Sequence, residues 1–291
     1  MLSHHIQLNG QPFHYLGWGK TGAPTLLFLH GFPEYSAAWA PLATRLADQY
    51  HCIAPDQRGY GQSWSPEAVE HYKTHLLVSD MTALIDHLGG GPVTVIGHDW
   101  GAAVAYGLAF RHPELVNRLI ILNGVHPAPF QRAMAAGGAQ TAASQYFHTL
   151  RRDGAETWLA ENDFARLLTL FSAKMDTSWL SGDTLAAYKT EWARPGRLRG
   201  MINWYRAAPV RLGAPGEALT DLPPIPADKF KVAMPHLLIW GQNDTALLPV
   251  STEGLEDYCA DLTRIDIADA DHWLVHQQPD RIAAEIRSWL A

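Results

Sequence analysis

Val93-Thr94-Val95-Ile96-Gly97-His98-Asp99-Trp100-Gly101-Ala102-Ala103-Val104 decides how the rest of this chain is read. Val93 to Ile96 is an apolar, β-branched run that suits a buried strand. Gly97-His98-Asp99-Trp100-Gly101 then has the Gly-x-Asp-x-Gly layout of a sharp strand-to-helix turn, with small and apolar residues opening a helix behind it. Such a turn lifts one side chain above the sheet. The usual residue there is serine, which attacks carbonyls. Here it is Asp99, and a carboxylate in that place attacks saturated carbon to form an alkyl ester. The chemistry shifts from acyl transfer to opening an epoxide or displacing a halide.

On either side of this turn the pattern alternates strand and helix. His5–Leu8 and Phe13–Leu16 flank Asn9-Gly10 as a hairpin. Thr25–Leu29 reads as a strand buried on both faces, residues 36–50 as a helix, and Tyr50–Ala54 as a strand stopped at Pro55. Residues 73–88 place Leu76, Leu77, Met81, Leu84, Ile85 and Leu88 on one helical face. Arg118–Leu122 is the next strand. The spacing predicts an α/β fold, a mostly parallel central sheet with crossover helices.

The pattern changes near Val125. Ser144–Pro209 reads as helix and loop and concentrates Trp158, Trp179, Trp192 and Trp204. A Pro-rich return (Pro215, Pro223, Pro224, Pro226) leads back to a strand at His236–Gly241, another at Thr263–Ile267 and a closing helix at Pro279–Leu290. The expected organisation is a core domain of residues 1–126 and 231–291, interrupted by a helical cap at 127–230.

Composition narrows the function. With 291 residues, 47% of them hydrophobic, the chain has ample material for a core of this kind. The net charge is −7 and no basic run suggests nucleic acid or an anionic membrane as partner. No apolar run approaches the ~20 residues a membrane helix needs. The start, Met1-Leu2-Ser3-His4-His5, lacks the basic and apolar regions of a secretory signal. Cys52 and Cys259 are far apart in sequence and read as reduced thiols. These features lead to the expectation of a cytoplasmic protein. The 15 histidines fall in no His-Glu-x-x-His or Cys-x-x-Cys pattern, so neither metal nor cofactor is expected.

An aspartate nucleophile needs a base to activate water for the second step, and donors for the oxyanion of the ester intermediate. His272, in Ala270-Asp271-His272-Trp273, follows the last predicted strand, where catalytic loops gather at the carboxyl edge of such sheets. Asp244, just past strand 236–241, is placed to orient His272 and stabilise its imidazolium. The order nucleophile, acid, histidine is the one this elbow fold uses. Asp257, Asp266, Asp269 and Asp271 are rivals for the acid. Asp266 alternates to the solvent face of its strand, and Asp271 adjoins His272 too closely to orient it. His30 is read as shaping its turn, Arg58 as stabilising a loop, and His98 as packing behind the elbow.

Four motifs carry a family resemblance: His30-Gly31-Phe32-Pro33-Glu34, Asp56-Gln57-Arg58-Gly59-Tyr60-Gly61-Gln62-Ser63, Gly97-His98-Asp99-Trp100-Gly101 and Asn203-Trp204-Tyr205-Arg206. Together they resemble the α/β-hydrolase superfamily and, within it, the epoxide hydrolases. The resemblance implies that the backbone N–H groups of Phe32 and Trp100 form the oxyanion hole. It implies that Tyr205 and Tyr146, from the cap, donate to the epoxide oxygen, and that Glu34 positions the hydrolytic water. Phenols suit the task because ring opening creates an alkoxide that they can protonate. Some relatives carry the acid after strand 118–122; Asn123 stands there in this chain, which favours Asp244.

The implied substrate is a small hydrophobic epoxide, opened to a vicinal diol; the oligomeric state is left open, a homodimer included. Haloalkane dehalogenases share the Asp-His-acid logic. Many of them place Asn, a halide donor, where this chain has Phe32, although Trp100, Trp179 or Trp192 offer indole N–H groups. Fluoroacetate dehalogenases carry Arg where this chain has Trp100. A non-catalytic binding protein of this fold would be expected to have lost part of the triad, which this chain retains.

Overall fold

Eight strands form one sheet in the order β1-β2-β4-β3-β5-β6-β7-β8. They are β1 (Leu2–Leu8), β2 (Gln11–Trp18), β3 (Thr25–Leu29), β4 (His51–Pro55), β5 (Val93–His98), β6 (Val116–Leu122), β7 (His236–Gly241) and β8 (Leu262–Ile267). The β1–β2 and β2–β4 pairs are antiparallel, and β4 onward runs parallel. The structure, a computed structural model, describes residues 1–223 and 225–291; Pro224 of the Pro-rich return lies outside them.

Every residue of β5 and β7 is buried, which accounts for their unbroken apolar sequence. Alternate side chains enter two cores. Ile96, Ile120, Leu122, Leu237 and Ile239 pack with Trp39, Leu42, Ile282 and Ile286 from α1 (Ala40–Leu46) and α11 (Pro279–Leu290) and the turn before α1. Val95, Leu119, Ile121, Leu238 and Trp240 face the other way, toward α2 (Thr74–His87) and α3 (Trp100–Arg111). On α2 the expected stripe is present, with Leu77, Met81, Leu84 and Ile85 buried. It also buries Asp80, which the Arg58 guanidinium meets at 2.7 Å; Arg58 thereby ties its loop to α2.

The helix expected over 36–50 is shorter. Ser36–Trp39 is a single 3-10 turn, and α1 begins at Ala40 because Pro41 suits the first helical turn, where a missing N–H costs nothing. The chain leaves α1 after Leu46, whose carbonyl accepts from Gln49 and Tyr50.

Between β6 and β7, six helices are described: α4 (Pro127–Ala136), α5 (Ala139–Ala143), α6 (Tyr146–Arg151), α7 (Ala155–Ser172), α8 (Gly182–Trp192) and α9 (Arg197–Ala207). The short α10 (Leu274–Gln277) follows β8. Cys52 and Cys259 are both free, and burial pushes each thiol up to about 12. Among the described residues no helix is long and apolar enough to cross a membrane.

Candidate active site

The β5–α3 turn holds Asp99 at φ 49°, ψ −122°, a conformation that costs a residue with a side chain ~1–3 kcal/mol. Both glycines of the motif are required sterically. A Cβ on Gly97 would stand 2.8 Å from Ala102 Cα, and one on Gly101 would stand 2.0 Å from the Leu29 carbonyl oxygen. The strand and helix therefore close tightly on each other, and the strained residue between them projects its carboxylate outward. Phe32 N–H donates to Asp99 Oδ1 at 2.7 Å. Oδ2 lies 3.7 Å from His272 Nε2.

The opposite nitrogen, His272 Nδ1, meets Asp244 Oδ2 at 2.7 Å. Asp244 is held in turn by the N–H groups of Ala246 (2.8 Å) and Leu247 (2.9 Å) on Oδ1, and by Asn123 Nδ2 (2.8 Å) on Oδ2. Burial alone would raise the Asp244 pKa; His272 and these donors hold it below the ordinary value. Burial likewise disfavours charge on His272, but Asp244 first, then Asp99 and Glu34, more than offset this and raise its pKa to about 9. The resting ring is thus an imidazolium at neutral pH, bracketed by two carboxylates.

The rival aspartates are engaged elsewhere. Asp271 caps its own loop, accepting from Trp273 N–H and Asp176 N–H, Asp266 pairs with Arg264 on the surface, and Asp269 pairs with Arg281. Asp257 is exposed. His30 does shape its turn, through Gly31 and Gln57.

Glu34 is 1% exposed. Its Oε1 accepts from Tyr188 (2.9 Å) and from His276 Nε2 (2.6 Å), and its Oε2 lies 3.3 Å from His98 Nδ1. Burial opposes ionisation of Glu34, yet His276 and His98 keep its pKa below the ordinary carboxylate range. His98 does more than pack behind the elbow: its Nε2–H donates to the His272 carbonyl at 2.8 Å.

A cavity of about 300 Å³ lies over Asp99, bounded by Phe32, Tyr146, Phe171, Tyr205, His272 and Trp273. A second, of about 350 Å³, also lined by Asp99 and Tyr146, runs along α3 past Trp100, Phe110, Phe147 and Phe230. Tyr146 and Tyr205 stand edge to face, 6.0 Å between ring centroids. Burial, with the nearby Asp99 charge adding to it, raises both phenols well above their ordinary pKa, so both remain proton donors.

Comparison with known proteins decides the family. A model described as the alpha/beta hydrolase fold matches residues 24–279. Epoxide hydrolase 4 of Homo sapiens is 32% identical over 98% of this chain and 77% of its own length. This chain belongs to the α/β hydrolases and, among them, to the epoxide hydrolase family. The AB hydrolase superfamily protein YfhM of Bacillus subtilis is 33% identical over 94% of this chain and 92% of its own. A solved structure, titled as one of several novel epoxide hydrolases from metagenomes of hot environments, superposes with a TM-score of 0.91 at 34% identity, covering 100% of this chain and 98% of that one.

Within this family site, several contacts escaped the sequence. Asn123 orients Asp244, and His276 and Tyr188 hold Glu34. Asn123 had a usable signal: it stands at the carboxyl end of β6, beside the end of β7 that supplies Asp244. Tyr188 and His276 had none, since their partner is distant in the chain.

Proposed function

We propose that this protein hydrolyses hydrophobic epoxides to vicinal diols through a covalent ester on Asp99. The observation that carries the reading is the Asp99 carboxylate, raised on a strained elbow, with one oxygen held by Phe32 N–H and the other facing His272 across 3.7 Å. In the first step Asp99 attacks an epoxide carbon from behind while Tyr205 and Tyr146 polarise the oxygen and one of them protonates the alkoxide. The tyrosinate so formed is reprotonated by the proton that the His272 imidazolium gives up, which leaves the ring neutral and able to act as base. In the second step, His272, oriented by Asp244, takes a proton from water, which attacks the carbonyl carbon of the ester. Glu34, buried and held by Tyr188 and His276, stands beside His98, which bonds the His272 carbonyl; it so supports the base and does not touch the water the resemblance assigned to it. The N–H groups of Phe32 and Trp100 stabilise the tetrahedral anion, and collapse releases diol and regenerates the Asp99 carboxylate.

Residues 127–230 act as a cap over the core domain of 1–126 and 231–291. The cap supplies Tyr146 and Tyr205 and closes the apolar cavities. Two apolar cavities that share Asp99 and Tyr146 as walls suit an epoxide with apolar substituents on both sides. Phe32, which offers no side-chain donor where many dehalogenases place Asn to hold the departing halide, favours this reading over halide displacement.

A single turnover in heavy-oxygen water tests the scheme. The ester is cleaved at its acyl carbon, so the first diol takes its new oxygen from Asp99 and emerges unlabelled, while later turnovers carry label. Label in the first turnover overturns the reading.

The pH response follows from His272. In the resting enzyme its raised pKa of about 9 keeps it charged, and the first step needs no base. Alkylation removes the Asp99 charge and with it one interaction that raised the pKa, so the ring releases its proton more easily when it must act as base. Lowering the pH through the ester-state value of the ring, which lies below the resting value of about 9, should therefore slow ester hydrolysis and increase the steady-state fraction of ester, read by acid quench and mass spectrometry.

A further inference from the structure

The loop that carries the oxyanion donor is gripped from outside the core. Residues 31–34 form a turn closed by Glu34 N–H on the Gly31 carbonyl at 3.0 Å. Two side chains of α8, one helical turn apart, reach down to it. Tyr188 OH donates to Glu34 Oε1 at 2.9 Å, and Trp192 Nε1–H donates to the Pro33 carbonyl at 2.7 Å. Both side chains are 2% exposed, and their spacing of four residues puts them on one face of the helix. Phe32, whose N–H holds Asp99, immediately precedes these two anchored residues. His276, the other donor to Glu34 Oε1, is stacked on Trp179, 3.6 Å between ring centroids.

We infer that α8 is a clamp on the oxyanion loop, and that Tyr188 and Trp192 are positioning residues for the hydrolytic half of the reaction. They touch no reacting atom. Trp192 fixes the Pro33–Glu34 peptide, and Tyr188 fixes the carboxylate that faces His98 and supports His272. The two halves of the reaction feel this differently. Attack on the epoxide requires the Asp99 carboxylate and the cap phenols, whereas ester hydrolysis requires a placed N–H at the oxyanion and an organised base. Loosening the loop therefore slows the second step more than the first. The inference rests on the covalent reading above.

Tyr188→Phe and Trp192→Phe each delete one donor and keep a ring in place. Wild type and variants are mixed with styrene oxide in single turnover, quenched in acid, and the ester on Asp99 is followed by mass spectrometry. Ester decay should slow by about tenfold in each variant and further in the double variant, since misplacing an oxyanion donor forfeits part of the ~10²–10³ that losing it costs. Ester formation should stay within about threefold, because none of its groups is removed. Leu185→Ala, on the same helix but without a hydrogen bond to the loop, controls for lost stability: it should lower the melting temperature and leave the ratio of the two rates unchanged. Equal slowing of both steps, or unchanged decay, overturns the clamp. If Trp192→Phe does not fold, Tyr188→Phe decides the matter alone. A wild type that forms no ester defeats the covalent reading instead, and the two failures are told apart by that first trace.

Discussion

Asp99→Ala should abolish epoxide turnover, by about 10⁴-fold or more, the scale on which removing a nucleophile from a cooperating catalytic group is felt. The variant keeps the cavity, both phenols and the His272–Asp244 pair. What it loses is the carboxylate held by Phe32 N–H and set across from His272 Nε2. Water attacking the epoxide directly would have to be activated by His272, which lies beside the vacated position, so the residual rate measures that alternative. Steady-state diol formation gives the loss, and intact-mass analysis after acid quench should show ester on wild type and none on the variant. Alanine at φ 49° is strained, so the melting temperature is measured alongside, and a folded variant within about a hundredfold of wild type would show that hydrolysis proceeds without a covalent step.

His272→Gln should have the opposite signature at the same site. Alkylation needs Asp99 and the phenols, which this change leaves in place. Hydrolysis needs a base 3.7 Å from Asp99, and glutamine supplies none. Overall turnover should fall by about 10³-fold, within the range assigned to general-base catalysis. The first equivalent of epoxide should nonetheless be consumed at close to the wild-type rate, leaving a stable ester on Asp99. Losing the imidazolium also leaves Asp244 with only its backbone and Asn123 donors, so some stability is lost with the base. The diagnostic quantity is the adduct. A variant that is slow and never accumulates ester would place the base elsewhere or dispense with the two-step scheme.

How far the sequence reached depends on the range of the interaction being read. The alternating strands and helices were legible because each is a local pattern, and the elbow was legible because its Gly-x-Asp-x-Gly spacing is local, although only Gly97 answers to a chain neighbour, Ala102, while Gly101 answers to Leu29 of β3. The limits of α1 were not, because a 3-10 turn and a helix share the same apolar spacing over so few residues. Asp99, Asp244 and His272 could be grouped from chain order and from their places after strands, and the fold does bring the three side chains together. The groups that enclose Glu34 could not be read in that way. Tyr188 is 154 residues from it and His276 is 242, and each contact exists only because two separate elements converge on one loop. Nothing in the local composition of α8 distinguishes a tyrosine that grips a carboxylate from one that fills a core.

The helices between β6 and β7 enter and leave at neighbouring strands of the sheet, so exchanging them between relatives looks like a simple way to change which substrates are accepted. The grip of Tyr188 and Trp192 on residues 33 and 34 makes such a graft less neutral than it looks. A transplanted segment that lacks those two donors would bring its own selectivity and also stall partway through each cycle. Chimeras of these enzymes would then fail by accumulating a dead-end adduct on an otherwise well-folded scaffold, and restoring two side chains, with no redesign of the pocket, would be the repair.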